Sequence, residues 1–183
     1  MIYAGAHISG AHYNPAVTIG LCCVKQCEWL VGLCYIAFQL VGSILAGALL
    51  VMYTEQGKVD PTKRCFCPGV NIKESFKWRA FLLEMIATWF LMFAIMGTAV
   101  DKKAPQGVFG FAIGGMLTAC IYSIGNLTGG ALNPARMIGP SIGAGVISHS
   151  VFWDQFWIYL IGPCLGSVLA AVMWRLFFEK KDT

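Results

Sequence analysis

Residues Ser9-Gly10-Ala11-His12-Tyr13-Asn14-Pro15-Ala16-Val17-Thr18-Ile19-Gly20 align without gaps on Thr128-Gly129-Gly130-Ala131-Leu132-Asn133-Pro134-Ala135-Arg136-Met137-Ile138-Gly139, at an offset of 119 residues (14 to 133). The first glycine, the Asn-Pro-Ala triplet, the isoleucine and the last glycine coincide, so the chain carries an internal repeat. Each copy opens an apolar piece, Pro15 to Val24 and Pro134 to Ile147. Pieces of 10–14 residues are too short to cross a bilayer and suggest re-entrant helices. Asn is a favoured N-cap and Pro a favoured first helical residue. Asn14-Pro15 and Asn133-Pro134 therefore each read as the start of a short helix. Taken singly, an Asn-Pro step is also an ordinary turn signal, and each Asn could be a cap and nothing more.

A bilayer span needs roughly 20 mainly apolar residues. Four stretches outside the repeats qualify: Trp29 to Tyr53, Lys77 to Val100 with one acid, Glu84, inside it, Gly107 to Asn126, and Phe156 to Phe178. The last contains Gly162-Pro163 and ends near Arg175. The polar connections are Thr54 to Phe76, Asp101 to Gln106 and Ser148 to Gln155. Trp29, Tyr53, Trp78, Trp153 and Trp157 fall at span ends, where an aromatic belt would place them. Three spans, an odd number, separate Pro15 from Pro134, so the two short helices enter from opposite faces. This predicts an inverted-topology repeat built on discontinuous helices, with its site near the midplane. Irregular backbone at that depth survives only buried in protein or lining a water-filled cavity.

Composition agrees. Of 183 residues, 57% are hydrophobic and 12% charged, the latter about half the ~25% usual in soluble domains. Mean hydropathy is +0.68. A soluble domain of this size lacks the interior to hide so much apolar surface. These values argue against a soluble enzyme and a disordered chain and leave an integral membrane protein, which the four spans make all-α and multi-pass. The net charge of +4 is scattered rather than gathered into a basic stripe, so no nucleic-acid partner is expected. The loop pair Cys65 and Cys67 lacks the further ligands zinc would need and reads as structural or free thiols. No metal or other cofactor is expected. His7 and His12 flank the first motif as loop-shaping residues. Small-residue pairs at Gly110/Gly114, Gly162/Gly166 and Ser43/Gly47 fit close helix contacts. The loop cations divide evenly between the two faces, which leaves the positive-inside rule silent.

The two motifs, with Leu83-Glu84 inside a span and Gly162-Pro163 and Gly166 in the last one, resemble the aquaporin family (major intrinsic proteins) over essentially the whole chain. The resemblance implies an aquaporin-like inverted-repeat helical bundle that passes water and small neutral solutes. It implies a homotetramer, or a heterotetramer with full-length members, in a plasma or internal vacuolar membrane. A complete member has six spans and two half-helices. Here four full spans and two half-helices are expected, with the first two spans of the fold missing and Met1 to Ala6 as the tail of one of them. On that reading the chain is an N-terminally truncated member forming one channel domain over 1–183: a partial first repeat at 1–53, a connecting loop at 54–76 and a complete second repeat at 77–183. The alternative function is a non-conducting subunit that modulates assembly of full-length channels.

Site roles follow from the same resemblance. Asn14, Pro15, Ala16, Asn133, Pro134 and Ala135 would form the two pore motifs. Arg136, Ile121 and Gly130 would take selectivity-filter positions. An Arg at membrane depth is costly unless it is partnered or faces water, which also argues for the pore. Glu84 would accept hydrogen bonds from the loop before the second half-helix, and His7 and His12 would support the pore. Met137 and Ile121 stand where glycerol-conducting members carry Asp and Gly, which favours water over glycerol. Ammonia, urea or peroxide would be compatible with Gly130.

Overall fold

A computed structural model describes residues 1–53, 73–105, 107–143 and 150–178. Seven α-helices order them: α1 (Ile2–Ser9), α2 (Pro15–Cys23), α3 (Trp29–Tyr53), α4 (Lys77–Ile95), α5 (Phe109–Thr128), α6 (Pro134–Gly143) and α7 (Ser150–Phe177). A π-helical stretch, Met96–Val100, prolongs α4. Among the described residues there is no strand, and four helices are long and apolar enough to cross a membrane. The all-α bundle of four spans and two short helices is thus present. Cys65, Cys67, the loop from Thr54 to Ile72 and the far end of the second short helix at Ile147 lie outside the described residues.

The boundaries depart from expectation at two places. Helix α5 starts at Phe109 rather than Gly107, because Tyr3 on α1 caps it from outside. The Tyr3 hydroxyl donates to Gly107 O at 2.7 Å and accepts from Phe111 N at 3.1 Å. The hydroxyl so takes up one N–H that the helix start leaves open and bridges it to the carbonyl just before the helix. Helix α7 starts at Ser150, six positions before Phe156. Its first turns are anchored by a tertiary ion pair, Lys77 Nζ to Asp154 Oδ2 at 2.5 Å. Gly162-Pro163 does not end α7, which runs through Pro163. A proline is tolerated inside a spanning helix where neighbours satisfy the freed backbone groups.

Each short helix is clamped by a long helix of the other repeat: α2 lies against α7, and α6 against α3. Small residues permit the approach. A Cβ on Gly20 would meet Met92 Cε at 3.1 Å and the Ser167 backbone at 3.3 Å. A Cβ on Gly139 would overlap Ser43, and one on Gly47 would stand 2.7 Å from Gly139 O. Ser43 Oγ also donates to Ala135 O, tying α3 to the first turn of α6. Gly162 and Gly166 bring α7 onto α4 at Phe81 and Met85. Gly110/Gly114 behaves differently from the other two pairs: Gly110 meets the Tyr3 ring, and Gly114 faces open space. Overpacking such a seam costs about 1–3 kcal/mol. Gly139→Val is therefore expected to lower the thermal midpoint in detergent, while Gly114→Val, at the open position, leaves it in place.

The core lies where α2, α4 and α7 meet, around Val17, Leu21, Leu91, Met92 and Ala170. Helix α3 is the most exposed span, presenting Leu30, Phe38, Leu45 and Leu49 outward. In water such a face would be a liability; against lipid tails it is the ordinary outer surface of a spanning helix. Trp29 and Trp78 stand exposed near the starts of α3 and α4, as a belt requires.

Candidate functional site: two helix starts that share their caps

Asn14 is the N-cap of α2, and its Oδ1 accepts from Ala16 N at 2.9 Å. Asn133 precedes α6 in the same way, its Oδ1 accepting from Ala135 N at 2.9 Å. The amide nitrogens cross over. Asn14 Nδ2 donates to Leu132 O at 2.8 Å, and Asn133 Nδ2 donates to Tyr13 O at 3.0 Å. Tyr13 and Leu132 are themselves equivalent in the repeat, so the contact is reciprocal, as a local two-fold requires. The two short helices therefore meet start to start, each Asn capping its own helix and holding the other's approach loop.

The loops before the helices match in backbone detail. Gly10 and Gly129 have φ of 77° and 92°, Ala11 and Gly130 have 52° and 57°, and Tyr13 and Leu132 both have 50°. The preceding hydroxyls close the same turn: Ser9 Oγ accepts from Ala11 N at 3.4 Å and Thr128 Oγ1 from Gly130 N at 3.1 Å. Non-glycine residues in the left-handed region cost roughly 1–2 kcal/mol each. Three stand here: Ala11, braced by the local bond to Ser9, and Tyr13 and Leu132, held by tertiary bonds.

The second loop has a further clamp. Glu84, fully buried on α4, accepts from Thr128 Oγ1 at 2.6 Å, Ala131 N at 3.0 Å and Leu132 N at 2.8 Å. Three donors converging on one carboxyl satisfy an acceptor-only carboxylate, the condition for burying one. Tyr159 on α7, also fully buried, donates to Thr128 O at 2.6 Å. Tyr159, Ser43 and Arg175, whose Nη1 donates to Val24 O at 2.5 Å, hold the two short helices and were not singled out from the sequence for that work. Their only sequence signal was a polar group inside an apolar run.

The helix starts face a cavity of about 730 Å³. Asn14, Asn133, Arg136, His7, His12 and Ile121 all line it. Much of the remaining wall is aliphatic, with Val17, Leu91 and Ile113 among it. Pro15, Ala16, Pro134 and Ala135 are buried within the helix starts instead. Gly130 is buried behind the wall, where a Cβ would meet Ile121 Cα at 3.3 Å and Gly125 Cα at 3.4 Å. Glu84 acts from behind the loop. His12 Nδ1 lies 3.2 Å from Thr18 Oγ1. That hydroxyl donates to Asn14 O at 3.0 Å and accepts from Gln39 Nε2 at 3.0 Å. The Thr18 hydroxyl thus ties His12 and Gln39 to the first turn of α2. Among the described residues no three His, Cys, Asp or Glu side chains gather as metal ligands.

The family model for Major intrinsic protein matches residues 1–174. The chain belongs to the major intrinsic protein family. Among its relatives in that family, Aquaporin AqpM of Methanothermobacter thermautotrophicus is 40% identical over 179 residues, covering 95% of this chain and 70% of that one. Nodulin-26 of Glycine max is 35% identical over 177 residues, covering 96% and 60%. Among solved structures, the aquaglyceroporin from Plasmodium falciparum matches with a TM-score of 0.78 at 26% identity, over 97% of this chain and 77% of that one. As a major intrinsic protein the chain is a multi-pass membrane channel for water and small solutes, and not an enzyme.

Proposed function

We propose that the chain forms a passive, proton-excluding path for water and small neutral solutes that runs past the paired Asn14 and Asn133 amides. The crossed cap bonds carry this reading. Each Nδ2 spends one hydrogen on the opposing loop, and its second is available to a permeant oxygen. Two helix starts aimed at one point add about half a positive charge each. A water that accepts from both amides has its lone pairs engaged and its hydrogens turned outward, so it cannot relay a proton. The same positive ends raise the barrier to cations, while neutral water meets little of either penalty.

Arg136, on the first turn of α6 and facing the cavity, is the proposed filter cation, with Ile121 as an apolar wall opposite a polar donor. Gly130 contributes by leaving Ile121 room. Ile121 in the cavity wall and Met137 buried beside Arg136, where glycerol-conducting members carry Gly and Asp, support water above glycerol. Assembly with other copies or with full-length relatives as a tetramer is proposed from the resemblance of the two motifs to the family. The test is stopped-flow light scattering: proteoliposomes holding the chain are expected to shrink faster than protein-free vesicles under an osmotic gradient. Shrinkage at the protein-free rate would contradict conduction by this chain; altered permeability only on co-reconstitution with a full-length relative would point to the modulating subunit.

A further inference from the structure

Helix α2 ends in a turn that folds the chain back on itself. Lys25 N donates to Cys22 O at 3.0 Å and Gln26 N to Leu21 O at 2.9 Å, with Lys25 at φ 60°. These two bonds around one left-handed residue form the reversal that commonly closes a helix. It returns Cys27 to the side of Cys22. Both are free thiols. Their sulfurs lie 3.5 Å (Cys27) and 3.9 Å (Cys22) from one carbonyl oxygen, that of Glu28. Gly32 on α3 leaves them room: a Cβ there would stand 2.5 Å from Cys22 Sγ and 3.8 Å from Cys27 Sγ. Cys22 is buried and Cys27 half-buried, while Cys23 and Cys34 are exposed. Leu21 and Gln26, the residues beside the pair, line the cavity.

We propose that Cys22 and Cys27 are a redox-responsive dithiol, which a hydroperoxide such as hydrogen peroxide closes into an intramolecular disulfide at the rim of the cavity. Cys27, the more accessible thiol, meets the oxidant. Its thiol gives up a proton, the thiolate attacks one peroxide oxygen, the O–O bond breaks, and the leaving hydroxide takes up that proton, so the products are a sulfenic acid and one water. Cys22 then attacks that sulfur, its thiol proton leaves with the hydroxyl as a second water, and the Sγ–Sγ bond forms. Two thiols are oxidised by two electrons and one peroxide is reduced to two waters. A reducing dithiol reverses the step. The bond would fix the loop through Gln26, and with it one edge of the cavity. The modification is read chemically, so it stands or falls separately from conduction.

The test treats proteoliposomes of the whole chain with hydrogen peroxide, alkylates the remaining thiols and digests with trypsin. Cleavage after Lys25 separates the two cysteines, so the disulfide joins two peptides that otherwise part. The expected result is a joined pair from monomeric protein, lost on dithiothreitol treatment, retained in Cys23→Ser/Cys34→Ser and lost in Cys27→Ser. A cross-link that disappears in Cys23→Ser/Cys34→Ser, or that is found only between two chains, would overturn the proposal. So would oxidation of Cys27 to sulfinic acid while Cys22 stays open to alkylation.

Discussion

Glu84→Ala is expected to destabilise the protein by at least about 3 kcal/mol. The carboxylate serves Thr128 Oγ1, Ala131 N and Leu132 N in a fully buried site. Each buried donor left without a partner costs about 1–3 kcal/mol, and the small side chain also leaves a void. The loss falls on one structural unit, because Leu132 O is the acceptor for Asn14 Nδ2. Releasing Leu132 from its left-handed conformation releases the first helix start with it. Glu84→Gln keeps the shape but turns an amide donor toward a backbone N–H, so a smaller loss is expected. Thermal unfolding in detergent orders the three proteins as parent, Gln, Ala; an alanine variant that unfolds with the parent would show that the clamp holds nothing.

The second large effect concerns Arg136→Val. Two unit charges about 6 Å apart at an effective dielectric near 20 repel by about 3 kcal/mol. Removing the guanidinium should therefore raise cation or proton leak by roughly 100-fold. Loss of its volume should also admit larger neutral solutes. Ion flux into dye-loaded vesicles, measured beside uptake of a graded series of polyols, reads both effects. If leak and size cut-off both stay at parental values, Arg136 lies outside the narrow part of the path.

Much of this architecture was legible because its elements follow local rules. An Asn-Pro start, an uncharged run of span length and a repeated motif each have one physical reading, and α2, α3, α4 and α6 begin where those rules place them. The early start of α7 was not legible, since Asp154 looks like loop until its partner Lys77 is seen across the bundle. Nor was the left-handed backbone at Ala11, Tyr13 and Leu132. Local preference reserves those angles for Gly and Asn; the crossed Asn bonds and Glu84 hold Tyr13 and Leu132 there, and the Ser9 hydroxyl braces Ala11. Gly10 and Gly129 were the visible half of that turn. Gly114 shows the opposite error: small-residue spacing marks a contact only if a helix arrives to use it, and none does among the described residues. Tyr159 lay in an apolar run, and its hydroxyl acquired a function only when α7 folded back onto the loop at Thr128.

The measurement closest to the heart of the account records two fluxes in the same vesicles. Proteoliposomes carrying the chain and a trapped pH-sensitive dye are given an osmotic gradient and then a pH gradient. Paired amides at abutting helix starts predict volume loss well above the bare-lipid rate, with internal pH drifting no faster than in bare lipid. Fast volume loss accompanied by equally fast acidification would mean that water crosses in an unbroken hydrogen-bonded chain, and that Asn14 and Asn133 do not interrupt it.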